Sequence, residues 1–314
     1  MTGTDNVPQA RPVHDVLVVG CGTMGSQIAM ACALAGYRTV AYDLDADVLG
    51  HAGDELRSRL DRDVAKGRRD RSAVDDAFDR LRFTTELDAA AGTADVVIEA
   101  AAEDVDIKRE VFARLDRTTP AHAILATNSS AIVSSQLADA TGRPDRVLNM
   151  HFFNPALVMR CVEIVAGPQT ARSTVETISE LARRLGKEPV LLHKEIPGFV
   201  ANRILGAVRD EAIFLLEDGV ASVEAIDTAC RTALGYPMGP FELMDLTGID
   251  IGYHAKLARH AVSNDPRDLP SRTVSDLVER GELGRKTGLG FYRYDDQGTK
   301  HPREHPREHH GTER

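Results

Sequence analysis

The chain has 314 residues, enough for two domains that each bury their own core. Its 48 acidic and 38 basic side chains leave a formal net charge of −10, which argues against general nucleic-acid binding, because that needs a basic face. An anionic ligand would have to be held by local dipoles and a few cations.

The N-terminal stretch lacks the basic-then-apolar layout of a secretory signal. Cys21, Cys32, Cys161 and Cys230 are scattered, with no CxxC pair. Free thiols in a reducing cytoplasm are expected, with neither a disulfide frame nor a metal site. Residues 16–37 carry no charge and are long enough to suggest a membrane span. Four glycines, Thr23, Ser26 and Gln27 interrupt the stretch, and a buried strand followed by a helix explains it better.

In chain order, "DVLVVG" (15–20), "RTVAYD" (38–43), "ADVVIEA" (94–100), "AILATN" (123–128) and "RVLNMHF" (146–152) read as strands rich in Val and Ile. Leu49, Ala52, Leu56, Leu60 and Val64 mark a helix between them, and Ile107, Val111 and Leu115 mark another. "VEIVAG" and "PVLLHK" add two strands around the helical "TARSTVETISELARRLGK". The alternation predicts an α/β fold of Rossmann type, with a mostly parallel sheet covered on both faces. After about Glu195 the strand signals stop and helical patterns with glycine stops follow. The boundaries expected are a nucleotide-binding domain over 12–195 and an all-helical C-terminal domain over 196–294. A disordered, His-rich tail over 295–314 follows from its scarcity of apolar residues.

"GCGTMG" follows the first strand and opens a helix. Gly20 allows the tight turn, Gly22 lets a pyrophosphate approach the backbone, and Gly25 lets helix and strand pack closely. Thr23 and Met24 begin the helix, whose N-terminal N–H groups and dipole suit phosphate. Asp43 ends the second strand at the spacing expected of a carboxylate on the adenosine ribose. An acid there favours NAD over NADP, whose extra phosphate it would repel. "NMHFFNPALVMRCVEIV" (149–165) leaves a question open, since His151 is either a satisfied core histidine or a group that moves a proton.

With "IEAAAEDVDIKREVF", "ATNSSA", "HFFNPALVMRCVE", "IPGFVANRIL", "YPMGPFELMDLTGID" and "GRKTGLGFY" in the same order, the chain resembles the short-chain L-3-hydroxyacyl-CoA dehydrogenases, including the 3-hydroxybutyryl-CoA dehydrogenases. The resemblance runs from about Val13 to Tyr294. It implies NAD as cofactor, an acyl thioester substrate linked to CoA, a helical domain that dimerises, and an active site in the cleft between the domains. It makes His151 the catalytic histidine and Glu163 its partner. It also implies that Ser130 contacts the substrate's 3-oxygen, that Asn202 lies at the substrate, and that Glu103 and Lys108 lie close to the cofactor.

The residues suit that chemistry. Histidine titrates near working pH and can take the alcohol's proton, while a carboxylate on its other nitrogen fixes the tautomer. Twelve extended residues would span ~40 Å, so the chain must double back between His151 and Glu163, and "NP" at Asn154 and Pro155 is a turn signal. Ser130 and Asn202 offer neutral hydrogen bonds to an oxygen that changes charge. The basic loop "KGRRDR" (66–71) is either a CoA phosphate grip or a solvated helix end, and it is left outside the site. Leu157, Cys161 and Leu289 depart from common family residues, which leaves open a carrier-protein thioester, a sugar acid or another free hydroxy acid. A non-catalytic NAD-binding protein of the same fold remains the alternative from another class.

Overall fold

The computed structural model describes residues 12–303, and the chain divides into two compact units between Val200 and Ala201. The first unit contains β1 (Asp15–Val19), α1 (Thr23–Leu34), β2 (Arg38–Tyr42), α2 (Ala46–Ala65), α3 (Arg71–Arg80), β3 (Leu81–Thr84), α4 (Leu87–Ala91) and β4 (Val96–Glu99). It continues through α5 (Val105–Thr118), β5 (Ile124–Thr127), α6 (Ser135–Ala138), β6 (Val147–Phe152), β7 (Cys161–Ala166), α7 (Arg172–Arg184) and β8 (Glu188–Leu192). These strands form one eight-stranded sheet in the order β3-β2-β1-β4-β5-β6-β7-β8. All neighbours are parallel except β6 and β7. The strand order reverses between β1 and β4, where a sheet of this kind receives its ligand.

Alternation within β1 shows how the layers arise. Val16 and Val18 join a cluster with Ile28 and Met30 of α1, while Leu17 and Val19 join another with Phe112 and Leu115 of α5. Burying each such side chain contributes about 1.5–3 kcal/mol. Residues 25–33 of α1 are all buried and mostly small, which explains their lack of charge. The membrane-length stretch is therefore β1 and α1 in sequence, and no helix among the described residues is long and apolar enough to cross a membrane.

The second unit contains α8 (Ala201–Glu217), α9 (Val223–Ala233), α10 (Pro240–Thr247), α11 (Ile249–Ser263) and α12 (Arg272–Glu279). Phe241, Phe291 and Tyr292 lie at its core, and two buried carboxylates organise the chain around them. Asp227 accepts the N–H groups of Phe241 and Glu242 in the first turn of α10 and the Tyr292 hydroxyl at 2.7 Å. Asp245 accepts the N–H groups of Phe291 and Tyr292 and the Tyr294 hydroxyl at 3.0 Å. Burial raises the pKa of both carboxyls above the usual range, with these hydrogen bonds acting against it.

The second unit is helical, with one small hairpin at its C-terminal end, and one sequence expectation needs correction: the expected disorder does not begin at 295. β9 (Arg293–Tyr294) pairs antiparallel with β10 (Lys300–His301). Polar contacts replace the missing apolar surface. Asp295 accepts the N–H groups of Gln297 and Thr299, Lys300 pairs with Glu242 and stands 4.4 Å from the Tyr292 ring centre, and Arg303 donates to the Gly290 carbonyl at 2.6 Å. The rest of the expected tail, 304–314, and the first eleven residues lie outside the described residues.

Candidate active site

The glycine loop joins β1 to α1 beside the Asp43 carboxylate. Gly20 has φ +94°, and a Cβ there would lie 2.6 Å from the Ala100 carbonyl oxygen. A Cβ on Gly25 would lie 1.8 Å from the Gly20 carbonyl oxygen, so this glycine is required by the packing of α1 on its own loop. A Cβ on Gly22 would meet nothing within 4 Å, which leaves open space above the loop. Thr23 and Met24 start a helix with no side-chain cap and no acid in its first turn. Asp43 accepts the N–H of Cys21 at 2.8 Å and that of Asp45 at 3.2 Å. An uncapped helix N-terminus, space above Gly22 and an acid at the end of β2 together fit a dinucleotide without 2′-phosphate. Cys21 is buried in this loop, and desolvation, aided by Asp43, pushes its thiol up to about 12. All four cysteines are free.

The β6–β7 connection fixes the surroundings of His151. Pro155 accepts the N–H groups of Val158 and Met159, and the chain doubles back. Antiparallel register then sets His151 directly opposite Glu163, which places both side chains on one face of the sheet. The His151 Nδ1 to Glu163 Oε2 distance is 2.9 Å, with His151 only 5% and Glu163 only 1% exposed. A carboxylate only accepts, so Nδ1 donates to Glu163, and in the neutral form of the ring Nε2 is the nitrogen with the lone pair. Glu163 Oε1 accepts the N–H of Val200 at 2.9 Å. The Phe153 and Phe199 rings meet the imidazole edge-on, at centroid distances of 4.6 and 5.4 Å. Phe199 is fully buried at φ +50°, a strained conformation for an aromatic residue, between Gly198, which donates to the Ser130 carbonyl, and Val200.

Lys108 and Glu103 come together at the carboxyl ends of β4 and β5. Lys108 is 1% exposed and bonds Glu99 at 2.6 Å, with Glu103 at 3.4 Å. Glu103 accepts from the Ser129 hydroxyl and from the N–H of Ala131. Ser130 lies between those last two residues and is half-buried. Asn149 holds the same loop from β6, accepting from Ser134 N–H at 2.7 Å and donating to the Ile132 carbonyl at 2.9 Å. Sequence reasoning missed Glu99, Ser129 and Asn149. The available signal was a polar residue within or just after an apolar strand, a position where burial demands a partner.

Asn202 lies in the first turn of α8, in the second unit, and is half-buried. In the basic loop, Arg71 bonds Asp61 and Arg68 stands 3.6 Å from Asp63, so both neutralise acids of α2. Lys187 donates to the carbonyls of Ala156 and Met159 under the β6–β7 connection, and burial, with Arg69, lowers its pKa. Leu157 N–H reaches Gln27 at 3.4 Å, a bond that a proline at this position could not make. Among the described residues no cluster of His, Cys, Asp and Glu has the arrangement of a metal site.

Residues 15–196 match the family model described as "3-hydroxyacyl-CoA dehydrogenase, NAD binding domain", and residues 198–294 match "3-hydroxyacyl-CoA dehydrogenase, C-terminal domain". The chain belongs to the 3-hydroxyacyl-CoA dehydrogenase family. It is an NAD-dependent oxidoreductase with the Rossmann-type sheet and helical second unit of that family. The 3-hydroxyadipyl-CoA dehydrogenase of Escherichia coli is 41% identical over 281 residues, which are 89% of this chain and 59% of that longer protein. The crystal structure of the (S)-3-hydroxybutyryl-CoA dehydrogenase PaaH1 from Ralstonia eutropha has a TM-score of 0.83 and 36% identity, covering 91% of this chain and 100% of that one. A diketoreductase described with dicarbonyl compounds has a TM-score of 0.82 and 35% identity, covering 90% of this chain and 100% of that one.

Proposed function

We propose that the protein interconverts a 3-hydroxyacyl thioester, carried on CoA as in 3-hydroxybutyryl-CoA, and the corresponding 3-ketoacyl thioester. The observation that carries this reading is the buried His151–Glu163 pair, with Nδ1 held by the carboxylate at 2.9 Å and Nε2 left to act. In oxidation, His151 Nε2 takes the proton of the substrate hydroxyl. Bound NAD supplies the acceptor for the hydride that leaves C3. Glu163 stabilises the imidazolium that forms and keeps the ring in the useful tautomer. Ser130 and Asn202 hydrogen-bond the substrate oxygen as its charge changes. In the reductive direction the imidazolium returns its proton to the ketone oxygen. Gly20, Gly22, Thr23, Met24 and Gly25 receive the pyrophosphate, Asp43 receives the adenosine ribose, and Glu103, backed by Lys108, faces the other half of the cofactor. A homodimer formed through the second unit, in a reducing cytoplasm, completes the reading.

The likeness to a diketoreductase supports a second reading, in which a free dicarbonyl or hydroxy acid replaces the thioester. NADH absorbance with acetoacetyl-CoA, longer 3-ketoacyl-CoAs, carrier-bound analogues, sugar acids and free diketones separates the two. The thioester reading expects the highest kcat/KM with a CoA substrate, and turnover of free compounds alone would replace it. His151→Ala is expected to lose about 10²–10⁴-fold in kcat, the range for a general base. Unchanged turnover in that variant would remove His151 from the mechanism.

A further inference from the structure

Outside the proton-transfer pair, Glu99 is a fully buried acid at the end of β4 with no part in the reaction. It belongs to a closed ring of side chains. Lys108 Nζ bonds Glu99 Oε1 at 2.6 Å and stands 3.4 Å from Glu103 Oε2. Ser129 Oγ donates to the other oxygen of Glu103. Ser129 N–H donates to Thr127 Oγ1 at 3.1 Å, and Thr127 Oγ1 donates to Glu99 Oε2 at 2.7 Å. The ring closes because Glu99 and Thr127 are direct partners in the parallel β4–β5 ladder.

A buried ammonium needs one carboxylate to balance its charge, and Glu99 supplies it. Glu103 is therefore surplus to charge balance, and its side chain is 44% exposed. The ring also grips the loop after β5, because Ala131 and Ile132 donate their N–H groups to Ser129 Oγ at 3.3 and 2.8 Å. Asp43 stands on the β2 side of the switch point between β1 and β4, where the adenosine half of a dinucleotide goes. The ends of β4 and β5 are left for the nicotinamide half.

We propose that Glu99 is a positioning residue for the cofactor. Through Lys108 and Thr127 it sets the Glu103 carboxylate and the loop 129–132 in the geometry that receives the nicotinamide ribose. This role rests on the cofactor placement proposed above.

The test uses the full chain, with and without NADH. Glu99→Gln combined with Lys108→Met removes both buried charges and leaves neither unpaired, so thermal melting stays within about 5 °C of wild type. Amide exchange at Ala131 and Ile132 in the cofactor-free protein is expected to accelerate at least about 10-fold, and the NADH Kd, read by fluorescence titration, to rise at least about 10-fold. Thr127→Val opens the ring at its other side without disturbing a charge or the Ser129 hydroxyl that Ala131 and Ile132 bond, and provides the same two readouts should the double variant fail to fold. Where both fold, combining them adds less than about threefold, because they break one ring. Wild-type NADH affinity and unchanged exchange in a folded variant would overturn this role alone. Failure of NADH to bind the wild-type protein would overturn the cofactor placement, and this role with it.

Discussion

Glu163→Gln removes a charge at a position where each carboxylate oxygen already receives a donor. Oε2 accepts from His151 Nδ1 and Oε1 from Val200 N–H, both at 2.9 Å. An amide offers one oxygen and one NH₂ to the same two donors. If the oxygen turns to Val200, the NH₂ faces Nδ1 and forces the ring proton onto Nε2, which then cannot accept a proton from substrate. If the oxygen turns to His151, the NH₂ faces the part-buried Val200 N–H, and leaving that donor unsatisfied costs about 1–3 kcal/mol. In that second case the bond to the imidazolium also loses charge assistance, worth about 1 kcal/mol. Only the second arrangement leaves Nε2 able to accept a proton, so its cost of about 2–4 kcal/mol sets the penalty, and at ~1.4 kcal/mol per tenfold kcat should fall about 10²-fold. The assay is steady-state NADH absorbance with acetoacetyl-CoA, with circular dichroism to establish that the fold survives. KM should stay within about threefold, since the lost interaction belongs to the transition state. A folded variant whose kcat stayed within about threefold of wild type would refute the orienting role of Glu163.

The glycine loop provides a matched pair. Gly25→Ala drives a methyl into the Gly20 carbonyl and should destabilise the cofactor-free protein by about 3 kcal/mol, a loss of roughly 6–12 °C in melting temperature. Gly22→Ala meets open space and should melt within about 1 kcal/mol of wild type while NAD affinity falls; a reversed pattern would refute the division of labour. Asp43→Ala should narrow the preference for NAD over NADP, measured as the ratio of kcat/KM values, and an unchanged ratio would remove its ribose role. In the second unit, the raised pKa of buried Asp245 makes a stability contribution that is fully present below the ordinary carboxyl value of about 4 and is lost as pH rises through its folded value. The melting-temperature difference between wild type and Asp245→Asn should therefore be larger near pH 4 than at neutral pH, and a pH-independent difference would contradict the shift.

Local pattern made most strands legible. β1 is largely an apolar run bounded by turn signals, and β6 is such a run interrupted by Asn149 and His151, since burial on both faces favours apolar residues wherever no polar partner is supplied. β3 escaped because it is a four-residue edge strand with Arg82 exposed, so half of its surface need not be apolar. The hairpin at 293–301 escaped because polar bonds to Asp295, Glu242 and Gly290 hold it, and those leave no hydrophobic period.

The sequence by itself determined the dinucleotide loop, since glycine spacing, helix start and terminal acid all act over a few residues of chain. It also supplied His151 and Glu163 as residue types suited to proton transfer, but spacing could only permit their meeting. Tertiary structure decided the rest. The antiparallel β6–β7 register sets the imidazole opposite its carboxylate, and the parallel β4–β5 register sets Glu99 beside Thr127, 28 positions away. Strand registers depend on packing across the whole sheet, so no local stretch of chain could announce them.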